Sequence, residues 1–180
     1  PKPDPRGSEG LWLYGLHAVR AALSNPVRKV KRVVLTSRAA EEIGPKLLGK
    51  VRQEIAEGAA VSKLLPEGAV HQGVALQCDP LPRRDLGDVL DEPSDKRRVV
   101  IVLDQITDPH NVGAVLRSAA AFGAVAVIAP DRHAPEETGV MAKAASGALD
   151  RIAYVKTVNL VRAIETVKEH RFWLVGLDAA

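Results

Sequence analysis

The sequence has little of what several common classes of protein depend on. It carries one cysteine in 180 residues, which excludes an intrachain disulfide and a thiolate-rich metal cluster. Aromatic residues make up 3% of the chain, so recognition of nucleic-acid bases on aromatic platforms is not expected. No apolar run approaches the ~20 residues that span a bilayer, and the start of the chain has no apolar signal region. These absences predict a soluble, cytoplasmic protein.

Motifs for several cofactors and nucleophiles are also missing. Neither GxGxxG nor GxxxxGK[ST] occurs, which disfavours dinucleotide and P-loop nucleotide binding. No two histidines are spaced like zinc ligands, and no activated serine or cysteine elbow is present. The sequence therefore predicts neither a metal site nor a covalent enzyme intermediate.

What the sequence does have is a basic segment near its start. The chain carries a formal net charge of +3, and residues 10–40 contain six Lys or Arg and no Asp or Glu. Such a one-signed segment suits a polyanion, because neutralising phosphates releases their counterions. A solvated basic surface without a partner explains the composition about equally well. The six cations are Arg20, Arg28, Lys29, Lys31, Arg32 and Arg38.

Hydrophobic periodicity divides the chain into two units. Residues 1–10 are rich in Pro and Gly and predict a loose leader, and residues 11–78 predict a small α/β unit. Residues 79–98 are rich in Pro and charge, which predicts a linker with one short helix inside DLGDVL. Within the α/β unit we predict helices over residues 16–23 and 43–55, the second ending before Gly58, and strands at residues 33–35, Val61 and 74–76.

The second unit, residues 99–180, shows strands alternating with helices. This alternation predicts a parallel sheet with right-handed crossovers, as in Rossmann-like folds. The predicted strands are residues 99–103, 124–129, 152–155 and 172–176, and the predicted helices are residues 109–121, about 136–146, and 159–169.

Residues 104–123, DQITDPHNVGAVLRSAAAFG, are the most informative part of the chain. They follow the apolar run VVIVL, which is typical of a strand buried on both faces of a parallel sheet. Asp108 can cap the next helix and Pro109 suits its first position, so the helix is predicted to begin at Pro109. Ligands gather at the carboxyl ends of such strands, and helix N-termini attract anions. This corner therefore predicts a phosphate-bearing substrate.

Three positions on this helix are candidates for the chemistry. Asn111 lies in the first turn, and Gly113 lies about one turn before Arg117. The bare backbone at Gly113 predicts room for a substrate to approach beneath the Arg117 side chain.

The segment DPHNVGAVLRSAAAFG resembles the first signature motif of the SpoU (TrmH-type) family of RNA 2′-O-ribose methyltransferases. Three further segments resemble the family in the family's order, and the likeness covers nearly the whole chain from Leu11. GAVHQG and the first unit make the chain most similar to members that modify a guanosine ribose in 23S rRNA. The further segments are GLHAVRAAL at residues 15–23, GAVHQGVAL at 68–76 and MAKAASGAL at 141–149.

The resemblance implies a fold, a cofactor and partners. The fold is a small ribosomal-protein-like α/β substrate-binding domain followed by a Rossmann-like parallel-sheet SPOUT domain, the kind that ties a trefoil knot. The implied methyl donor is S-adenosylmethionine, with no metal. The implied partners are RNA, above all 23S rRNA, and a second copy of the intact protein in a homodimer.

The resemblance also implies roles for individual residues. Arg117 is the implied catalytic arginine, and Asn111 would orient Arg117 or the substrate ribose. Gly176 and Leu177 would border the adenosine pocket. The implied RNA-contacting residues are His17, Arg20, Arg28, Lys29, Lys31 and Arg32.

Four further polar residues lie in the family-like segments. For His71 and Gln72, a structural role and an RNA contact are equally open. Lys143 and Ser146 are expected on a solvated helix face.

Arg117 is not expected to act as a base. A guanidinium with a pKa above ~12 stays protonated near neutrality. A cation beside the 2′-oxygen would instead stabilise the developing alkoxide and hold the adjacent phosphate bidentately, leaving the proton to phosphate or water.

The chain stops at GLDAA, before the two later family motifs that tie the knot and bind S-adenosylmethionine. We therefore expect a truncated, proteolysed or partly disordered product that does not methylate RNA by itself. Three alternatives stay open: a non-catalytic RNA-binding module, a tRNA 2′-O-methyltransferase and, more distantly, a small-molecule α/β enzyme with a phosphate-binding helix start.

Overall fold

The computed structural model describes residues 10–93 and 98–177, which form two sheets with flanking helices. Most of the predicted leader and residues 94–97 of the predicted linker lie outside the described residues. The strands are β1 (Leu11–Tyr14), β2 (Val30–Leu35), β3 (Gln53–Ile55), β4 (Val74–Cys78), β5 (Val99–Val102), β6 (Ala124–Pro130) and β7 (Ala153–Thr157). The helices are α1 (Leu16–Ser24), α2 (Ser37–Ile43), α3 (Pro45–Leu48), α4 (Gly58–Ser62), α5 (Leu86–Asp91), α6 (Pro109–Ala121), α7 (Gly139–Ala145) and α8 (Leu160–Glu169), with a 3₁₀ turn at Ala148–Asp150.

The second sheet has the predicted parallel arrangement, with strand order β5-β6-β7. Helix α6 connects β5 to β6 and begins at Pro109, as predicted from its cap. Ile128 in the middle strand pairs in register with Val102 on one side and Val155 on the other. The alternation of strands and helices was therefore sufficient to predict this half of the fold up to α8.

The first sheet has strand order β1-β4-β2-β3. Strand β4 pairs antiparallel with both β1 and β2, whereas β3 pairs parallel with β2. Strand β1, with four residues, was not predicted. It is held by a distant partner, with Leu11 opposite Cys78.

The predicted helix over residues 43–55 is wrong. Helix α2 ends at Ile43, where Gly44 adopts a φ of 90° that a helix cannot continue, and Pro45 starts the separate short helix α3. Residues 53–55 then form β3, which pairs with β2. The apolar spacing that predicted one helix came from two short helices and a strand in succession.

The predicted strand at Val61 is also wrong. Val61 is a buried residue of α4, which begins at Gly58 rather than following a helix that ends there. A single apolar residue carries no periodicity, so the strand prediction had no second position to test it.

The predicted strand over residues 172–176 is wrong as well. Residues 172–177 form no strand, and Trp173 and Val175 are 97% and 80% exposed. A strand needs a hydrogen-bonding neighbour, and no strand of the described residues pairs with this segment. Apolar composition alone was not a sufficient signal here.

One hydrophobic core cluster contains residues of both units, including Leu13 and Val19 from the first and Leu116 and Met141 from the second. Helix α7 lies between β1 and α6 within this cluster. The short helix predicted inside the linker is observed as α5 and packs on α8 and β6. No helix of the described residues is long and apolar enough to cross a membrane.

Two glycines allow the close approach of the two units. A Cβ atom at Gly139, the first residue of α7, would lie 2.5 Å from the Trp12 carbonyl oxygen. A Cβ at Gly147 would lie 2.8 Å from the Ala21 Cβ atom and 3.0 Å from the His17 carbonyl oxygen. The α7 region therefore holds β1 and α1 at a short, fixed distance from the second sheet.

Candidate functional site

The candidate site begins where β5 ends and α6 starts. The Asp108 carboxylate accepts a hydrogen bond of 3.0 Å from the His110 backbone N–H, and Pro109 occupies the first helical turn. The carboxyl end of the strand, an N-cap aspartate and a helix N-terminus thus meet as the sequence predicted.

Arg117 lies on the exposed side of α6. Within the described part of the chain its guanidinium has neither a hydrogen-bond acceptor nor an ion-pair partner. An exposed and unpaired guanidinium is free to bind a phosphate through two parallel N–H groups.

Asn111 is also exposed, in the first turn of α6. Six helical positions separate it from Arg117, which corresponds to about 120° around the axis and ~9 Å along it. The two side chains therefore leave the helix in different directions. This geometry favours separate contacts with a bound molecule over direct orientation of Arg117 by Asn111.

Gly113 does not provide room for a substrate, contrary to the prediction. It is buried against α7, where an added Cβ atom would lie 2.5 Å from the Met141 carbonyl oxygen and 2.7 Å from the Ala144 Cβ atom. The absence of a side chain at this position lets α6 and α7 pack in direct backbone contact. Gly113 is thus a packing residue.

Arg28 was expected at an RNA-binding surface, but its side chain is fully buried. Its Nη1 atom lies 2.5 Å from Glu137 Oε1, and its Nε atom donates to Asp150 Oδ1 at 2.9 Å. We call these three residues the interdomain ion cluster, because Arg28 belongs to the first unit and both carboxylates belong to the second. The expectation of a surface contact by Arg28 is therefore wrong.

Burial and the neighbouring charges shift the pKa values of two members of the interdomain ion cluster, Glu137 and Arg28. Desolvation raises the pKa of Glu137, although the charge of Arg28 and the hydrogen bond from the Leu81 backbone N–H oppose the shift. Desolvation also disfavours the charged form of Arg28, but the hydrogen bond and charge of Asp150 and the charge of Glu137 outweigh it and raise the pKa of Arg28. Burial raises the pKa of the neighbouring Cys78 thiol to about 12.

Two other cations of the basic segment are paired at the surface. Lys31 Nζ lies 2.8 Å from Asp79 Oδ1, and the hydrogen bond from Lys31 lowers the pKa of Asp79. Arg32 donates to the Gln77 side chain at 2.9 Å and lies 5.3 Å from the centroid of the Trp12 ring. Lys31 and Arg32 thus already have partners within the fold. Lys29, between Arg28 and Val30, is exposed.

His17 and Arg20 are exposed on α1, and their side chains have no hydrogen-bond or ion-pair partner among the described residues. They line an open depression together with Ser146 and Arg151 from the second unit. Of the cations in the basic segment, Arg20 therefore combines exposure, freedom from acids and proximity to the second unit.

The HQG sequence at residues 71–73 has a structural role in this fold. His71 Nδ1 accepts a hydrogen bond from the Gly73 backbone N–H at 3.0 Å, and its Nε2 atom lies 2.9 Å from Ser62 Oγ. The Gln72 carbonyl oxygen Oε1 accepts from the Leu16 backbone N–H and from Lys143 Nζ. Lys143 thus reaches across to the first unit instead of projecting freely into solvent.

Gly176 and Leu177 were expected beside an adenosine pocket. Both are exposed, Leu177 to 97%, and they follow α8 outside any strand.

Across the residues that the structure describes, no group of three or more potential metal ligands is brought together.

Two family models match the chain, each over one unit. Residues 98–180 match the SpoU rRNA methylase family, and residues 12–84 match the RNA 2′-O ribose methyltransferase substrate-binding family. The division between the two matches lies in the segment that the sequence analysis treats as a linker.

Several curated proteins are similar in sequence. The chain is 38% identical over 173 residues to a 23S rRNA (guanosine-2′-O-)-methyltransferase RlmB of Vibrio cholerae, covering 91% of this chain and 68% of the relative. It is 33% identical to the RlmB of Escherichia coli, covering 91% of this chain and 70% of the relative. An uncharacterized tRNA/rRNA methyltransferase of Synechocystis is 38% identical, and the chain spans 49% of its length.

Solved structures have the same fold. The SpoU methyltransferase AviRb of Streptomyces viridochromogenes, in complex with the cofactor AdoMet, superposes with a TM-score of 0.69 at 19% identity, covering 95% of this chain and 64% of that chain. An rRNA methyltransferase of Sinorhizobium meliloti superposes with a TM-score of 0.66 at 20% identity, covering 90% of this chain and 60% of that chain. The mixed α/β architecture with a parallel second sheet is therefore one that SpoU methyltransferases share.

Proposed function

Because this chain belongs to the SpoU family of rRNA methylases, we propose that the whole protein transfers a methyl group from S-adenosylmethionine to the 2′-hydroxyl of a guanosine ribose in 23S rRNA. The observation that carries the proposal is the likeness to RlmB proteins, which extends over both units and 91% of the chain. Its structural support is Arg117, which is exposed and has no partner among the described residues, on the helix that follows a parallel strand.

Arg117 is the residue to which we assign the chemistry. Its guanidinium would lie beside the ribose, donate two N–H groups to the neighbouring phosphate and stabilise negative charge as it develops on the 2′-oxygen. The 2′-O–H proton would pass to phosphate or water, because a guanidinium does not take up a proton at neutral pH.

Asn111 has a separate role in this proposal. Since it lies about 120° around α6 from Arg117, its amide would contact the RNA substrate itself. Its carbonyl oxygen can accept from a ribose hydroxyl and its NH₂ group can donate to a phosphate.

S-adenosylmethionine would supply the electrophilic methyl group. Gly176 and Leu177, the residues expected beside its adenosine, are exposed and contribute no enclosed surface, so residues 172–177 alone do not fit the cofactor. Binding of the cofactor is proposed for the whole protein, as are the knotted domain, the homodimer and the cytoplasmic location.

The first unit is proposed to hold the RNA. His17 and Arg20 are the exposed candidates from the basic segment that carry no acidic partner within the described residues. Lys29 is exposed too, but its charge already acts on Asp79 and helps to lower the pKa of that carboxylate. Lys31 and Arg32 would have to exchange Asp79 and Glu54 for phosphates, so smaller contributions are expected from them.

A tRNA substrate is the second candidate. It is favoured by the name of the Synechocystis relative, a tRNA/rRNA methyltransferase that is 38% identical to this chain. The chemistry at Arg117 would be the same in both cases.

Methyl transfer from tritiated S-adenosylmethionine to in vitro transcripts of 23S rRNA and of tRNA tests the proposal. We expect incorporation into 23S rRNA, at a nucleotide that resists alkaline hydrolysis because its 2′-oxygen is blocked. Incorporation into tRNA alone would select the second candidate. RNA binding without incorporation into either would show a non-catalytic module.

Variants of Arg117 test the assigned chemistry in the same assay. Arg117→Ala and Arg117→Lys are each expected to lower the rate by roughly 10²–10³, since lysine cannot bind bidentately. Arg162→Ala on α8, which removes another exposed arginine, is expected to keep the wild-type rate. A wild-type rate for Arg117→Lys would contradict the bidentate role.

A further inference from the structure

An open groove runs between the first and second units. One wall is formed by α1 and the other by the turn that joins α7 to β7. We call it the interdomain groove, and its side chains with exposed charge or imidazole are His17, Arg20 and Arg151.

The charge of the interdomain groove is one-signed at its surface. Arg20 and Arg151 come from different units and are both exposed. The acidic lining residue is Asp150, whose side chain is 2% exposed. Its carboxylate accepts hydrogen bonds from Arg28 Nε at 2.9 Å and from Asn25 Nδ2 at 3.0 Å. The Asp150 carboxylate therefore points away from the groove, into the interdomain ion cluster of which it is a member. It does not compete with a bound anion for Arg20 and Arg151.

The backbone places His17 and Arg20 on one wall of the groove and Arg151 on the other. His17 and Arg20 are three residues apart on α1, so they are neighbours on one helix face. The Arg151 Nε atom donates to the Gly147 carbonyl oxygen at 3.3 Å, which leaves the Nη1 and Nη2 groups available for a second acceptor. Gly147 itself is in contact with α1, where an added Cβ would lie 2.8 Å from Ala21 Cβ.

We propose that the interdomain groove is a composite phosphate-binding site, in which Arg20 and Arg151 grip the sugar–phosphate backbone of the RNA substrate from opposite walls. This inference deepens the function proposed above and rests on it. The groove is open to solvent, so it suits an extended phosphodiester backbone better than a small anion, which would need an enclosed site. Each of the two guanidinium groups has free N–H groups that can bind a phosphate. The scarcity of aromatic residues in the chain, 3%, also favours contacts with the backbone over stacking on bases.

The composite nature of the groove has a functional consequence. Arg20 sits on the unit that binds substrate, whereas Arg151 sits on the unit that carries Arg117. A bound backbone would therefore be positioned relative to Arg117 directly, and not only through the first unit.

The test is RNA binding by Arg20→Ala and Arg151→Ala, with Arg162→Ala as a control that removes the same charge from α8. Filter binding of a radiolabelled 23S rRNA transcript would be measured between 50 and 200 mM salt, and thermal unfolding would establish that each variant is folded. We expect each groove variant to bind about tenfold more weakly. We also expect each to reduce the slope of log K against log salt by roughly 0.7–0.9, the contribution of one phosphate contact.

Groove variants that bind like Arg162→Ala, with an unchanged salt slope, would overturn the inference while leaving the methyl-transfer proposal in place. A wild-type protein that does not bind the transcript would overturn both. A third outcome is a protein that transfers no methyl group but whose salt slope is reduced by Arg20→Ala and Arg151→Ala. This outcome would support the phosphate-binding groove and contradict only the catalytic proposal.

Discussion

Two arginines of the basic segment, residues 10–40, differ from the arginine of helix α6 in that the fold gives them acidic partners. Arg28 is enclosed with two carboxylates, and Arg32 pairs with Glu54. Arg117 on α6 is exposed, and its side chain has neither a hydrogen-bond nor an ion-pair partner in the described parts of the chain. Part of the positive charge that is concentrated along the sequence is thus neutralised by acids from elsewhere in the fold, whereas Arg20 of the same segment is exposed and has no acidic partner among the described residues.

The difference shows what a charge pattern along a chain can predict. The acids absent from the basic segment are supplied from far away, Glu54 from 22 residues along the chain and Asp150 from 122 residues. A run of basic residues along the sequence predicts a binding surface only where the fold places no acidic side chain beside them. Substitutions at five positions would break or sharpen this comparison.

The largest effect is expected for Arg28→Ala. It leaves Glu137 and Asp150 buried without their cation, which commonly costs about 3–5 kcal/mol of folding free energy. Urea unfolding of the chain followed by circular dichroism measures this cost. Lys29→Ala, which removes the neighbouring exposed cation, is the control and should change stability by less than ~0.5 kcal/mol. Equal stability of the two variants would mean that Arg28 belongs with the surface cations after all.

Gly113→Ala tests whether α6 depends on backbone contact with α7. The added methyl group would meet the Met141 carbonyl oxygen at 2.5 Å, so we expect a loss of about 1–3 kcal/mol by overpacking. Gly58→Ala in α4 is a matched control, because an added Cβ there has no neighbour within 4 Å. It should be neutral or stabilise by up to ~1 kcal/mol. A neutral Gly113→Ala would return this position to the role of clearance for a ligand.

Asp108→Ala tests the local part of the α6 site. The loss of the N-cap hydrogen bond to the His110 N–H is expected to cost about 1 kcal/mol in thermal or urea unfolding. Asp108→Asn keeps an acceptor at the cap and should recover most of the stability. An Asn variant as unstable as the Ala variant would point to the negative charge rather than to the hydrogen bond.

The smallest effect is a difference in pH dependence. The pKa of Glu137 is raised in the folded state, so the folded protein binds more protons than the unfolded chain and stability falls as pH rises above the ordinary value of 4.5. Glu137→Gln should remove this decline. The pKa of Asp79 is lowered, so Asp79→Asn should remove a contribution of the opposite sign, one that is lost as pH falls below 3.8. Stability measured at several pH values in both variants checks the two signs, and identical profiles would contradict them.

The features that could be predicted from the sequence are those that depend on residues close together along the chain. Helix α6 was predicted over the residues that it occupies, because an Asp cap and a Pro at the first position act within a few residues. The parallel strands β5, β6 and β7 were predicted because their apolar runs are uninterrupted and alternate with helices. In the first unit, the positive φ of Gly44 divided a pattern that looked like one helix.

The parts of the site that were missed depend on distant residues. Nothing near Arg28 in the sequence indicates Glu137 or Asp150, and nothing near Gly113 indicates that α7 lies against it. The exposure of residues 173–177 has the same origin, since an apolar run forms a strand only where a neighbouring strand is available. Arg151 carried no motif, and its place in the interdomain groove follows from tertiary structure alone.

The close contacts at Gly139 and Gly147 bear on how this protein could be recombined. Gly139 sets α7 against β1, and Gly147, in the turn after α7, sets that turn against α1, so the two units meet in close contact at both positions. A chimera that exchanged residues 11–78 for the corresponding part of a relative would need the same small residues on α7 and the same backbone course at Trp12 and His17. Exchange of the first unit between members of the family therefore requires that these contact residues be exchanged together with the domain.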